Sequence, residues 1–327
     1  MTLSSAPRHT GPERRDRRFR PRAGRLTPGD VAALAAYAES AEAAVRIDPR
    51  AAVTVIHPPR ASVGSPASGA APPRLSVPED DGDRQSWQVL CSPLTGRAGG
   101  VRDVRPVAER LSDLPAPRDA AAAPGDGSLL AVDDGRRDVA GAHALLSVIA
   151  TDIGGFTLEV CGEPVGLSVP DPMVPRAAAA AAGLLVAQQA PIPGAARGAV
   201  DAVRRLLAGI EGVDAAAPAG TAAPAGAAAE IGWIPHDADD RVTLGAATDG
   251  AVLDARRLQF IAAIGCPVIV GPRRTLLLCD LDEWTAEQVV RVLAPMGFVF
   301  DADSPTVREL DLSCAPPSPG SAPNAAP

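Results

Sequence analysis

Residues 241–300 read RVTLGAATDG AVLDARRLQF IAAIGCPVIV GPRRTLLLCD LDEWTAEQVV RVLAPMGFVF, and this stretch decides the fold. Residues 241–246 read as a strand and 253–264 as a helix. Two further strands, 268–270 and 276–279, flank the turn Gly271-Pro272-Arg273-Arg274. A second helix follows over 283–293, with Ala286, Val289, Val290 and Leu293 on one face at helical spacing. Thr285 and Gln288 have the spacing of a capping box, and Asp282 competes with Thr285 as N-cap. Residues 298–300 close the unit as a strand, giving the order β-α-β-β-α-β. A four-residue hairpin loop pairs Val270 with Thr275, Val268 with Leu277 and Cys266 with Cys279. That register predicts two reduced thiols side by side on one sheet face, whereas a one-residue bulge would send them to opposite faces.

The order is the ferredoxin-like one, and its centre recurs near the N-terminus. Thr27-Pro28-Gly29-Asp30 is a helix start, and Val31, Leu34, Ala35 and Ala38 form an apolar face behind it. Strands over 45–47 and 53–56 then flank Asp48-Pro49-Arg50. Helix, strand, arginine-bearing turn and strand thus occur twice, as an internal repeat with one worn copy. In that copy an arginine tail and the Pro-rich 57–84 stretch replace the outer strand and the second helix. Between the copies, strands are expected at 87–91, 129–132 and 157–160, with an Asp133-Asp134-Gly135 turn. Helices are expected over about 175–189 and 197–210, separated by Pro191 and Pro193. The fold class is α+β: two ferredoxin-like half domains, the first degenerate, flank a mixed α/β middle domain. The boundaries fall at 24–60 and 230–304 for the halves and 85–212 for the middle, with linkers 61–84 and 213–229. Residues 1–23 and 305–327 read as disordered tails.

Composition excludes several chemistries. All 31 basic residues are Arg, so there is no P-loop, Schiff-base or kinase-strand lysine. The only Asn, Asn324, is not in a glycosylation motif. Aromatic residues are only 3% of the chain, so its cores must be built of Ala, Val and Leu. A net charge of −8 argues against nucleic acid, and the run from Arg8 to Arg25 reads as a solvated tail. No secretory h-region is present, and the longest apolar stretch, Ala177 to Ala187, is too short to span a bilayer. A cytoplasmic protein with no membrane partner is expected. The cysteines at 91, 161, 266, 279 and 314 contain no C-x2-C pair, and the histidines at 9, 57, 143 and 236 lack ligand spacing, so no metal site is expected.

Several stretches then match one family in order: Cys91-Ser92-Pro93-Leu94-Thr95-Gly96-Arg97, Asp133-Asp134-Gly135-Arg136, Ile231-Gly232-Trp233-Ile234 with residues 241–246, 276–281, and 289–293. The chain resembles precorrin-3B synthase of cobalamin biosynthesis, a relative of the sirohaem-dependent nitrite and sulfite reductases, over residues 24–56 and 86–313. The resemblance implies an oxygen-dependent oxidoreductase that hydroxylates a polycarboxylate tetrapyrrole at a ring-linking carbon, with lactone formation. It also implies a four-iron iron–sulfur cluster held by cysteines. Cys314 stands where the first cysteine of a C-x5-C pair would be, Gly320 takes the second place, and the other pair has no counterpart. The chain is therefore expected not to bind the cluster, with Cys314 a lone remnant of its motif. Two readings stay open: an impaired, truncated oxidoreductase, or a non-catalytic tetrapyrrole-binding or remnant protein.

The candidate substrate-binding residues are Arg50, Arg97, Arg136, Arg273 and Arg274, each on or beside a turn at a strand end. Guanidinium forks bind carboxylates bidentately, as a polycarboxylate tetrapyrrole requires. Against this, a chain whose only cation is Arg places Arg on turns anyway. The resemblance gives Arg50 and Arg274 corresponding places in the two halves, with Ala52 where the reductases carry an amide. Asp133 and Asp134 could position a proton or a metal, but a solvated β-turn accounts for them as well and is the preferred reading. Trp87, Trp233 and Trp284 are expected as core or staple residues.

Overall fold

The computed structural model describes residues 16–57, 73, 75–76, 87–117, 129–188, 196–215, 230–305 and 307. Its first block holds β1 (Arg17–Phe19), β2 (Arg25–Leu26), α1 (Pro28–Ala41), β3 (Ala44–Asp48) and β4 (Ala52–Ile56). The helix starts where the sequence places it. Thr27 Oγ1 accepts from the Asp30 amide at 3.1 Å, and Asp30 Oδ2 accepts from the Thr27 amide at 2.9 Å, a reciprocal capping box. The basic tail is shorter than expected, because residues 17–19 are the outer strand. They pair antiparallel with β4, and Phe19, opposite Val53, is buried. The surrounding arginines mask that one apolar anchor in the sequence.

The middle block holds β5 (Gln88–Cys91), α2 (Arg105–Ser112), β6 (Leu129–Asp133), β7 (Leu146–Ala150), β8 (Phe156–Val160), β9 (Glu163–Val169), α3 (Val174–Ala187), α4 (Ala196–Leu207) and β10 (Asp214–Ala215). One six-stranded sheet runs β10-β9-β8-β7-β6-β5, parallel across β5, β6 and β7 and antiparallel beyond. The start of the expected 213–229 linker belongs to this sheet through β10. Sequence reading missed α2, β7 and β9. The alanines 177, 178, 181 and 182 of α3 are fully buried, and their small side chains let the helix lie close to its neighbours.

The last block holds β11 (Gly232–Pro235), β12 (Val242–Thr248), β13 (Val252–Leu253), α5 (Ala255–Ile264), β14 (Val268–Val270), β15 (Leu276–Leu281), α6 (Glu283–Leu293) and β16 (Phe298–Val299). The ferredoxin-like order is present, with β11 and β13 added. Asp282, not Thr285, caps α6: its Oδ1 accepts from the Thr285 amide at 2.8 Å. The two halves exchange short strands. One sheet is β1-β4-β3-β13, so the second half contributes β13 to the first half's sheet. The other is β11-β12-β15-β14-β2, so the first half contributes β2 in return. Helices α1 and α5 pack together, and Leu34, Leu258, Ile261 and Val268 from the two halves line one small apolar void.

The β14–β15 hairpin corrects the expected register. Val270 pairs with Leu276, Ile269 with Leu277 and Val268 with Leu278, and the Gly271 amide donates to the Thr275 carbonyl at 2.8 Å, which leaves a loop of three residues, 272–274. Arg274 takes a left-handed φ of 62°, as three-residue hairpin loops commonly require. The one-residue shift separates the thiols. Cys266 faces the core shared by the two halves, whereas Cys279 packs on the opposite face with Leu94, Ile269 and Leu277.

Candidate functional site

The two arginine-bearing loops meet. Residues 49–51 join β3 to β4, residues 272–274 join β14 to β15, and a backbone bridge links Pro49 with Arg273. The Arg50 amide also donates to the Pro272 carbonyl at 2.9 Å. Each loop has three residues, with arginine second, so the counterpart of Arg50 is Arg273 and not Arg274. Arg50 is buried and its Nη2 donates to the Ala142 carbonyl at 3.3 Å, which ties the first half to the middle domain. Arg274 is half-buried at the end of its loop.

Arg97, Arg136 and Arg273 bond to the chain's own acids. Arg273 Nη1 donates to Glu230 Oε1 in a very short contact, and both residues are buried. Glu230 Oε2 also accepts from Thr275 Oγ1 at 2.7 Å. Burial pushes the Glu230 carboxyl up, against the pull of Arg273 and Thr275. Arg97 holds Asp280 with a bidentate fork at 2.7 and 2.9 Å. That fork keeps the Asp280 carboxyl below its ordinary range. Arg136 grips Asp134 through Nε at 3.0 Å and Nη2 at 2.8 Å, and also lies 3.1 Å from Asp138.

The Asp133-Asp134 turn is not solvated: both carboxylates are buried. Asp133 accepts from the amides of Gly135 and Arg137 at 2.8 Å each, and from that of Val139 at 3.4 Å. Sequence reading missed Asp138, Glu230, the Arg137–Glu159 pair and Arg105. Arg105 is buried and donates to the carbonyls of Ala23 at 2.7 Å and Pro93 at 3.1 Å, bolting the N-terminal block to the middle domain. Among the tryptophans only Trp87 is buried; Trp233 and Trp284 are exposed. His236 lies between Asp239 and Thr243, and His57 bonds to Tyr37.

The described thiols do not fit a cluster. Cys91 lies in the middle core, where burial pushes its thiol up to about 12, and Cys161 sits on a turn beside that core. Cys266 and Cys279 point to opposite faces of the second half's sheet. Among the described residues no three thiols converge, and Cys314 lies outside them.

No protein-family model and no curated protein matches the chain. Among solved structures it is similar to the NirA protein of Mycobacterium tuberculosis, with a TM-score of 0.59 and 17% identity over 87% of this chain. The match spans 57% of the NirA chain, so this chain covers little more than half of that length. At that identity the likeness is one of fold: α+β, with paired half domains around a mixed middle domain. Among the described residues no helix is long and apolar enough to cross a membrane.

Proposed function

We propose that this chain is a precorrin-3B synthase-like protein of cobalamin biosynthesis that binds a reduced polycarboxylate tetrapyrrole where its two arginine hairpins meet. The observation that carries this reading is the abutment of the 49–51 and 272–274 loops, which brings Arg50, Arg273 and Arg274 to one junction. The sequence resemblance and the fold shared with NirA support it. In this reading Arg274 and Arg50 hold ligand carboxylates, and Arg273 braces the junction through Glu230; Arg97 and Arg136 are held away from it by Asp280 and Asp134. The ligand is a small molecule taken up in the cytoplasm, with no nucleic-acid or membrane partner. The family's cluster would supply electrons, but the described thiols do not fit it.

A second reading, binding without turnover, is favoured by that dispersal of thiols. Anaerobic calorimetric titration with a reduced octacarboxylate tetrapyrrole tests the binding common to both readings. Wild type should bind, and Arg274→Ala or Arg50→Ala should weaken binding about ten- to a hundredfold, as loss of one charge-assisted hydrogen bond would. No binding by wild type, or unchanged affinity in both variants, would overturn it. Dioxygen consumption by the loaded protein then separates turnover from binding alone.

A further inference from the structure

The turn after β6 buries more negative charge than it neutralises. Asp133, Asp134 and Asp138 are each at most 2% exposed. Their carboxylate oxygens lie within 4.8 Å of one another. Arg136 is the cation that serves them, bonding to Asp134 and Asp138. The neighbouring Arg137 turns away to a bidentate pair with Glu159 at 2.8 and 3.0 Å. Among the described residues, backbone amides alone hold Asp133. With all three acids ionised, one guanidinium would face three carboxylates in a dry site, an arrangement that favours uptake of a proton.

Asp138 is the least supported of the three carboxylates: Arg136 reaches it with one nitrogen at 3.1 Å, against three amides on Asp133 and a two-nitrogen grip on Asp134. Ser92 Oγ donates to Asp138 Oδ1 at 2.5 Å, and the same hydroxyl oxygen accepts from the Asp134 amide at 3.1 Å. Cys91 at the end of β5 faces Asp134 and Asp138 and is itself flanked by Asp103 and Arg105 at the start of α2, and Glu230, paired with Arg273 of the second half, faces Arg136. None of these supplies a second cation in contact with the three carboxylates.

The loop before α2 packs directly on Asp134 and Arg136 of this cluster. The Val101 amide donates to the Asp134 carbonyl at 2.7 Å. A Cβ on Gly100 would lie 2.6 Å from the Asp134 carboxylate, and one on Gly99 would lie 2.9 Å from Arg136 Cδ, so the backbone presses on both. The same loop grips the second half: the Gly99 amide donates to Asp237 Oδ2 at 2.8 Å, and Arg97 pairs with Asp280.

We propose that the 133–138 turn is a proton-operated latch. One proton on Asp138 closes it onto the 97–101 loop and so fastens the middle domain to the second half. Loss of that proton loosens the joint. Burial pushes the Asp138 carboxyl up to about 7, reinforced by Asp133 and Asp134 and opposed by Arg136 and Ser92. This folded value lies above the ordinary 3.8. The latch's contribution is therefore fully present below the ordinary carboxylate pKa and is lost as pH rises through about 7. The latch does not depend on the tetrapyrrole reading.

Carboxyl 13C NMR of the full, aspartate-labelled chain, with amide hydrogen exchange of residues 97–101, tests the latch without any ligand. One aspartate should titrate near 7. Protection of 97–101, corrected for intrinsic exchange, should fall about tenfold between about pH 6 and about pH 8. Asp138→Asn should keep the low-pH protection at both. If every aspartate titrates below about 5, or if wild-type protection does not change with pH, the latch is wrong. It is also wrong if Asp138→Asn retains the wild-type pH dependence. Should that variant fail to fold, the two wild-type measurements decide.

Discussion

The amide of Arg50 donates to the carbonyl of Pro272 at 2.9 Å, so the hairpin tips of the two half domains are joined backbone to backbone. An exposed hairpin-tip amide exchanges quickly; this one should exchange as slowly as the amides of β3 and β4. Arg50→Pro removes the donor and forces φ to about −65°, whereas Arg50 sits at +65°. That variant should lose roughly 3 kcal/mol or more, read by urea denaturation.

Leu34 on α1 is 1% exposed and packs into the core that both halves share. Leu34→Ala should cost about 2–5 kcal/mol. Because Leu258 and Ile261 of α5 line the same void as Leu34, amide protection in α5 should fall together with that in α1. Loss confined to α1 would show that the halves are energetically separate.

Arg273→Ala leaves Glu230 buried without its cation. Breaking a buried pair in this way costs about 3–5 kcal/mol. The Glu230 carboxyl is already raised by burial, and losing Arg273 raises it further. A carboxyl with a raised folded pKa stabilises below its unfolded pKa and loses that contribution as pH rises. The deficit of the variant should thus be larger at neutral pH than near the ordinary glutamate pKa, as denaturant midpoints at the two pH values would show.

Gly245 lies on β12, where a Cβ would fall 1.8 Å from the Glu230 carbonyl oxygen and 2.7 Å from its carbon. Both are backbone atoms and cannot swing aside. Gly245→Ala should therefore cost at least about 1–3 kcal/mol and disturb the neighbouring Glu230–Arg273 pair. An unchanged melting temperature would show that β11 and β12 separate more easily than their pairing suggests.

The second half's central elements were legible in the sequence because local signals agree there: Asp282 before an amphipathic run and a Pro-Arg turn between apolar strands. The exchanged strands β2 and β13 were not, since two residues carry no period and their partners are remote in sequence. The outer strand β1 was hidden by arginines that outnumber its single buried anchor, Phe19. The hairpin register failed by one residue because sequence alone does not separate a four-residue loop from a three-residue loop with a left-handed Arg274. At the site, the turns bearing Arg50, Arg136 and Arg273 were read correctly as turns. Their acid partners were not legible, because Glu230 follows an Ala/Pro/Gly-rich stretch and lies 43 residues from Arg273. Asp138 was missed because no turn rule singles out a residue past the end of its turn.

The strand exchange also sets when this protein can fold during synthesis. Leu26 finds its strand partner at Val268, and β3, already paired with β4, gains its second neighbour where Val45 meets Leu253. A ribosome elongating at roughly 5–20 residues per second leaves the first block waiting tens of seconds for those partners. Throughout that interval the apolar side of α1 that later meets α5 has no cover from the second half. Nascent chains stalled before β13 should accordingly hold chaperones, and chains released past β14 should let them go.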